Sequence, residues 1–318
     1  DTMLDRYHHG FANNLNSTAP VPVLKILDSD ESPGASAHIA IGLTSFGMDV
    51  SFHTAIGDDI ESKSIISTLK SMDVRSENII QVKDRSTLTK IRFFGSRESL
   101  LDRSQILLQA DRGPNEPLET SVSDSLIESA RSNIPDSCAL VISDYDKGVV
   151  SNDGAQTLIA TANEKAIPVI VDPKLTGLEK SRGATVVIFE KRGMSLLSRR
   201  IGLDDDEAAK RLLEEYSWDG ILVLGGIHGI HLHQKDHDSI FMPCMAPTAD
   251  QQIGMHDAAA TSLAAALGSG LDLYDAALLA SAACDCVLSA STGRDYIDRA
   301  TLGLWLDELA WQMRISDR

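Results

Sequence analysis

ADQQIGMHDAAATSLAAAL, residues 249–267, joins a polar, glycine-containing turn to a run of strong helix formers. Gln251 to Gly254 form the turn, Asp257 follows, and the alanines after it predict a helix over 257–268. The open amides and positive dipole end of such a helix favour an anion. An Asp beside that anion can take a proton from an attacking hydroxyl. Phosphoryl transfer to an alcohol requires that pair. The plainer alternative is a capped helix whose first turn Asp257 stabilises, and the rest of the chain bears on the choice.

Outward from this turn the chain alternates. Helix 121–132, strand 138–143, helix 153–165, strands 168–172 and 184–189, helix 205–216 and strand 220–224 predict a mainly parallel sheet with helices on both faces. CALVIS (138–143) and IPVIVD (167–172) are almost continuously apolar, as strands buried on two faces must be. Helices near 257–268, 274–290 and 299–313 finish the chain. In the last, Leu302, Trp305, Leu306, Leu309 and Met313 fall on one face and are expected in the core. Before residue 121, helices are expected at 35–46 and 60–72 and strands at 50–56 and 79–82. Patches 19–26, 87–94 and 105–110 predict a small separate β sheet, with the prolines of 19–26 suiting an edge. DTMLDRYHHG (1–10) reads as loop, and Pro33-Gly34 as a break.

At 318 residues and 43% hydrophobic content the chain can bury a full core as a single α/β domain, or as one with a small appendage. No apolar run reaches membrane-spanning length and no charged-then-apolar leader opens the sequence, so a soluble, cytoplasmic protein without membrane partners is expected. The four cysteines are scattered, and Cys284-Asp285-Cys286 lacks a second pair to close a zinc site. His231 and His233 share one face of a strand without a matching third ligand, so no metal site is assigned there. A formal charge of −17 argues against a nucleic-acid surface and favours a small-molecule partner, which if anionic needs a local basic pocket.

In open α/β sheets ligands bind at the carboxyl ends of the strands. Polar residues crowd there: Asp144, Tyr145 and Lys147; Asp172 and Lys174; Glu190 and Lys191; Gly225, Gly226 and Gly229. Four successive strand ends of this kind suggest a site rather than a set of turns.

The chain resembles the ribokinase (PfkB-type) sugar kinases, and within them the kinases of D-glycero-β-D-manno-heptose 7-phosphate used in lipopolysaccharide core assembly. DTMLDRY (1–7), APVPVLKI (19–26), PGASAHIA (33–40), TLTKIR (87–92), SDYDKG (143–148), VDPK (171–174), RGAT (182–185) and the Gly254/Asp257 turn carry the resemblance in family order. It implies a ribokinase-like three-layer α/β sandwich with a small β lid, and transfer of the ATP γ-phosphate to a sugar hydroxyl. Asp257 then stands as catalytic base, with Gly254 and His256 in the anion turn. Asp1, Asp5, Gly34, His38 and Lys90 stand at sugar-contacting positions, joined by Asp144 and Lys147. Asp172, Lys174, Glu190, Gly225 and Gly229 fall on the cofactor side, and ATP with Mg²⁺ are the cofactors implied. A sugar phosphate is the implied partner, with a homodimer formed through the lid.

The departures gather where the chemistry would occur. The family's T-G-A-G-D reads Ile253-Gly254-Met255-His256-Asp257, placing an imidazole where backbone must approach phosphate closely. Its N-x-x-E, which organises Mg²⁺, reads Glu190-Lys191-Arg192-Gly193, and its G-G-A-x-N reads Gly34-Ala35-Ser36-Ala37-His38. Gln109 stands for the lid's arginine, an insertion is expected around Glu98 to Ser104, and no counterpart of the customary strand before Asp1 is expected. Two readings therefore stand: an ATP-dependent sugar kinase, or an impaired relative that binds sugar phosphate or serves as a dimer partner. Weak ATP binding is expected in either case.

Overall fold

The computed structural model describes residues 1–96, 104–114, 116–248, 252–290 and 296–316. Its largest sheet has six strands in the order β12-β11-β10-β9-β8-β7. Strands β7 (Leu140–Ser143), β8 (Val169–Asp172), β9 (Val186–Glu190) and β10 (Gly220–Leu224) run parallel. Strands β11 (Ile230–Gln234) and β12 (Ile240–Met242) return antiparallel at one edge.

The continuous apolar runs have a direct cause. Ile170, Ile188 and Leu222 pack on one face against α7 (Met255–Gly268) and α8 (Leu273–Leu288). Val171, Val187 and Ile221 pack on the other against α4 (Asn152–Asn163), α5 (Lys191–Ile201) and α6 (Asp205–Tyr216). Three layers result, the ribokinase-like sandwich. Helix α1 (Ser36–Ser45) joins the first outer layer through Ile39, and α3 (Thr120–Asn133) lies beside α4. Of the predicted apolar face of α9 (Arg299–Ser316), Leu302 and Trp305 join the core, whereas Leu306 is exposed.

A second sheet, the β lid, has the order β2-β1-β5-β6. It contains β1 (Thr2–Leu15), β2 (Pro22–Ala35), β5 (Leu88–Ser96) and β6 (Gln105–Arg112). Two sequence expectations are corrected here. Residues 1–10 belong to a central strand rather than a loop, since Met3, Leu4 and Tyr7 are buried between neighbouring strands on both edges. Pro33-Gly34 does not break the chain: β2 runs through it, with Leu4 opposite Pro33 and Met3 opposite Gly34. Most of the insertion expected around Glu98 to Ser104 lies outside the described residues. A short parallel pair, β3 (Thr54–Gly57) with β4 (Ile79–Val82), packs with α2 (Ile60–Ser71). The strand expected at 50–56 begins only at Thr54, and Val50, Phe52 and His53 instead line an apolar cavity of 490 Å³ facing β7. Among the described residues no helix is long and apolar enough to cross a membrane.

Candidate active site

Helix α7 opens differently from α4, α6 and α8. Asp204, Ser151 and Asp272 cap α6, α4 and α8 through side-chain oxygens. The residue before α7 is Gly254 at φ 93, and it offers no side-chain cap. The first amides of the helix have no intrahelical partner, so they and the dipole face the site. Asp257 does not serve as a cap: its Oδ2 receives the Nδ1 of His38, 3.2 Å away on α1. The aspartate is 8% exposed, and its other oxygen is buried without a hydrogen bond. Burial raises its pKa, the His38 contact opposes this, and the net direction is upward. A carboxylate so placed holds a proton more readily, as a general base requires.

One side of this turn is built from the lid and the end of β7. Asp5 on β1 pairs with Arg92 on β5 at 2.5 Å, both nearly buried. Asp5 also explains Gly34, because a Cβ there would stand 2.1 Å from Asp5 Oδ2. Asp1 Oδ2 accepts the amides of Tyr145 and Lys147, holding the loop after β7. Asp144 is buried and bound at 2.9 Å by Lys180, which also reaches Asp146. The Lys147 side chain itself is exposed. At the centre, the ammonium groups of Lys90 and Lys174 lie 5.2 and 4.2 Å from the Tyr145 ring centroid. Burial lowers the pKa of Lys90, with Asp5 opposing and Arg92 and Lys174 adding to the fall. Lys174, assigned from sequence to the cofactor side, stands with Lys90 beside Tyr145.

The other side is a cavity of 650 Å³ bounded by α5, the end of β10 and the start of α7. Glu190, Lys191, Arg192, Gly225, Met255 and His256 are among its lining residues. Gly229 sits behind this wall at φ 77 and closes the β10–β11 loop, with Gly225 N–H donating to its carbonyl at 2.9 Å. His256 crosses the floor. Its Nδ1 lies 2.9 Å from Asp172 Oδ1, and its Nε2 lies 3.8 Å from Glu190 Oε1. Burial disfavours the charged ring, but Asp172 and then Glu190 outweigh it, so its pKa is raised.

A nucleotide fits this cavity, which is roomy and is lined by Gly225, Gly226, Lys191, Arg192 and Arg199. Mg²⁺ does not fit the residues present. The imidazole occupies the gap between Asp172 and Glu190, and among the described residues no group of three His, Cys, Asp or Glu side chains could hold a metal ion. His231 and His233 likewise form no such group. His233 is buried and hydrogen-bonded through Nδ1 to Ser239 at 2.8 Å.

Sequence reasoning passed over Arg92 and Lys180 and gave Tyr145 no role. Arg92 lay inside a quoted motif two residues after Lys90, a spacing that puts both on one strand face. Lys180 carried no local signal; only the folded chain brings it to Asp144. Gln109, opposite Arg92 in the sheet, is exposed and bonded to Asp111.

Comparisons with known proteins find a family and a fold for the chain. The family described as pfkB family carbohydrate kinase matches residues 31–298. The bifunctional protein HldE of Pseudomonas entomophila is 33% identical over 291 residues, covering 91% of this chain and 59% of that protein. The bifunctional protein HldE of Shewanella piezotolerans is 29% identical over 304 residues, covering 95% and 61%. The chain thus spans about three fifths of the length of these relatives. Phosphofructokinase-2 from Escherichia coli in complex with potassium superposes with a TM-score of 0.75 at 15% identity, covering 97% of this chain and 96% of that one. Arabidopsis thaliana ribokinase complexed with ribose and ATP gives a TM-score of 0.71 at 14% identity, covering 96% of each.

Proposed function

The chain belongs to the pfkB family of carbohydrate kinases, and from that premise we propose that it transfers the γ-phosphate of ATP to a hydroxyl of a sugar phosphate of the heptose 7-phosphate kind. The observation that carries this reading is Asp257, buried at the uncapped start of α7, held by His38 and next in sequence to His256, which lines the basic cavity. The acceptor hydroxyl attacks the γ-phosphorus, and the bond to the bridging oxygen breaks. ADP leaves with the electron pair while Asp257 takes the hydroxyl proton. Asp5, Gly34 and His38 shape the sugar side, and the amides of 254–257 meet the transferred group. Lys90 and Lys174 receive the phosphate that the sugar already carries, since two ammonium groups beside Tyr145 suit a dianion.

One observation favours the second reading, an impaired kinase that binds sugar phosphate or partners a second copy: His256 is bonded to Asp172 inside the phosphate turn. In both readings the lid is the dimer surface, supported by exposed Val23, Leu27, Ile106 and Leu108. ADP release measured with heptose 7-phosphate, the unphosphorylated heptose and ribose distinguishes the two. A kinase turns over the first, with kcat/KM at least about 10²-fold above the others, because losing two charge-assisted contacts costs roughly 3 kcal/mol or more. No ADP release with any sugar, while heptose 7-phosphate still binds, leaves the second reading in place.

A further inference from the structure

The cavity beside α5 carries a charge pattern that bears on how a nucleotide would be held there. In a chain of net charge −17, Lys191, Arg192 and Arg199 project from one helix into one cavity. None of the three makes an ion pair among the described residues, and α5 begins without a side-chain cap. Across the floor, His256 reaches Asp172 at 2.9 Å and lies 3.8 Å from Glu190. The three cations thus stand without ion-pair partners among the described residues, beside a floor where Asp172 and Glu190 face an imidazole.

A bound Mg²⁺ needs a near-octahedral set of oxygens at about 2.0–2.1 Å and keeps several waters. The space in which Asp172 and Glu190 could contribute is filled by the ring of His256. A polyphosphate still needs positive charge there, and the protein supplies it. Resting on the kinase reading for the identity of the ligand, we propose that this cavity binds the triphosphate of a nucleotide without a divalent cation. His256 fills the gap between Asp172 and Glu190, and Lys191, Arg192 and Arg199 neutralise the phosphates. Guanidinium forks suit phosphate oxygens, and the start of α5 adds its dipole. Burial works against the charged form of His256, but Asp172 and then Glu190 outweigh it and raise its pKa.

Calorimetric titration of the full chain with ATP, in EDTA and in excess Mg²⁺, tests this. The wild type is expected to bind ATP in EDTA at least as tightly as Mg·ATP. Arg192→Ala combined with Arg199→Ala should weaken metal-free binding by about 10²-fold, roughly tenfold for each lost charged contact, with an unchanged circular dichroism spectrum. His256→Gly should make binding metal-dependent, with Mg²⁺ tightening it more than tenfold. If Mg²⁺ tightens wild-type binding tenfold or more, the proposal is overturned while the kinase reading stands. If metal-free ATP and tripolyphosphate bind as expected but no phosphoryl transfer follows under any metal condition, the proposal stands and the kinase reading fails. If the folded wild type binds neither nucleotide nor tripolyphosphate, the cavity is not an anion site and the proposal fails outright.

Discussion

Asp257, which we propose as the base, shows how a site residue can work against the stability of its own fold. The carboxyl is buried, one oxygen lacks a hydrogen bond, and its pKa is raised mainly by burial. A carboxyl that binds its proton more tightly folded than unfolded destabilises the fold at neutral pH, where it must ionise against that preference. The penalty is full above the folded pKa and vanishes below the unfolded value of about 4. Asp257→Asn keeps an acceptor for His38 and removes the charge. Turnover should fall by about 10² to 10⁴, while the Tm at pH 7.5 stays level or rises and the difference closes as the pH is taken toward 4. Paired kinetics and scanning calorimetry check this, and a marked loss of Tm at pH 7.5 would count against the assignment. The bland alternative for Asp257, a helix cap, was the natural one from sequence. Asp257 stands in the first turn of α7 but turns its side chain to His38, and no local pattern encodes a contact between residues so far apart in the chain.

Among the elements, β1 was the hardest to read because its polar residues are used. Asp5 pairs with Arg92, Arg6 reaches Glu31 and Glu61, and His8 and His9 stack on Phe93 and Phe94. A strand with partners on both edges and a site on one face shows no simple apolar alternation. By contrast β7 and β8 were legible, since burial leaves them apolar up to their carboxyl ends, Ser143 and Asp172. The Asp5–Arg92 pair binds β1 to β5, and removing one partner strands the other as a buried charge. Asp5→Ala should therefore cost roughly 3–5 kcal/mol, a fall of several degrees in Tm. Adding Arg92→Leu should restore much of that Tm without restoring sugar-phosphate affinity. Thermal scans and titration of both variants separate the roles. Recovery of binding in the double variant would reduce Asp5 to a structural partner.

For the whole molecule, strand–helix alternation and the crowded strand ends made the sandwich and the end that carries the site readable, because layer packing follows from periodicity. How the two sides of the site divide was not readable: Lys174 joins Lys90 across Tyr145, and Lys191 and Arg192 register in sequence as a missing acid rather than as gained cations. The same holds for the outer surface of the lid. Val23, Leu27, Ile106 and Leu108 are each at least 45% exposed on a sheet whose two edge strands are β2 and β6. Apolar side chains on an open sheet form a surface suited to a second copy. In a twofold dimer each substitution appears twice in the interface. Burying one leucine contributes about 1.5–3 kcal/mol, so Leu108→Glu should remove roughly 3–6 kcal/mol of association energy. That is a weakening of about 10² to 10⁴ in the dimer constant. Sedimentation equilibrium should find a wild-type dimer at micromolar concentration and a monomer for Leu108→Glu, with the Asp257 site intact by sugar-phosphate titration. A wild-type protein that stays monomeric at tens of micromolar would remove the lid as an interface.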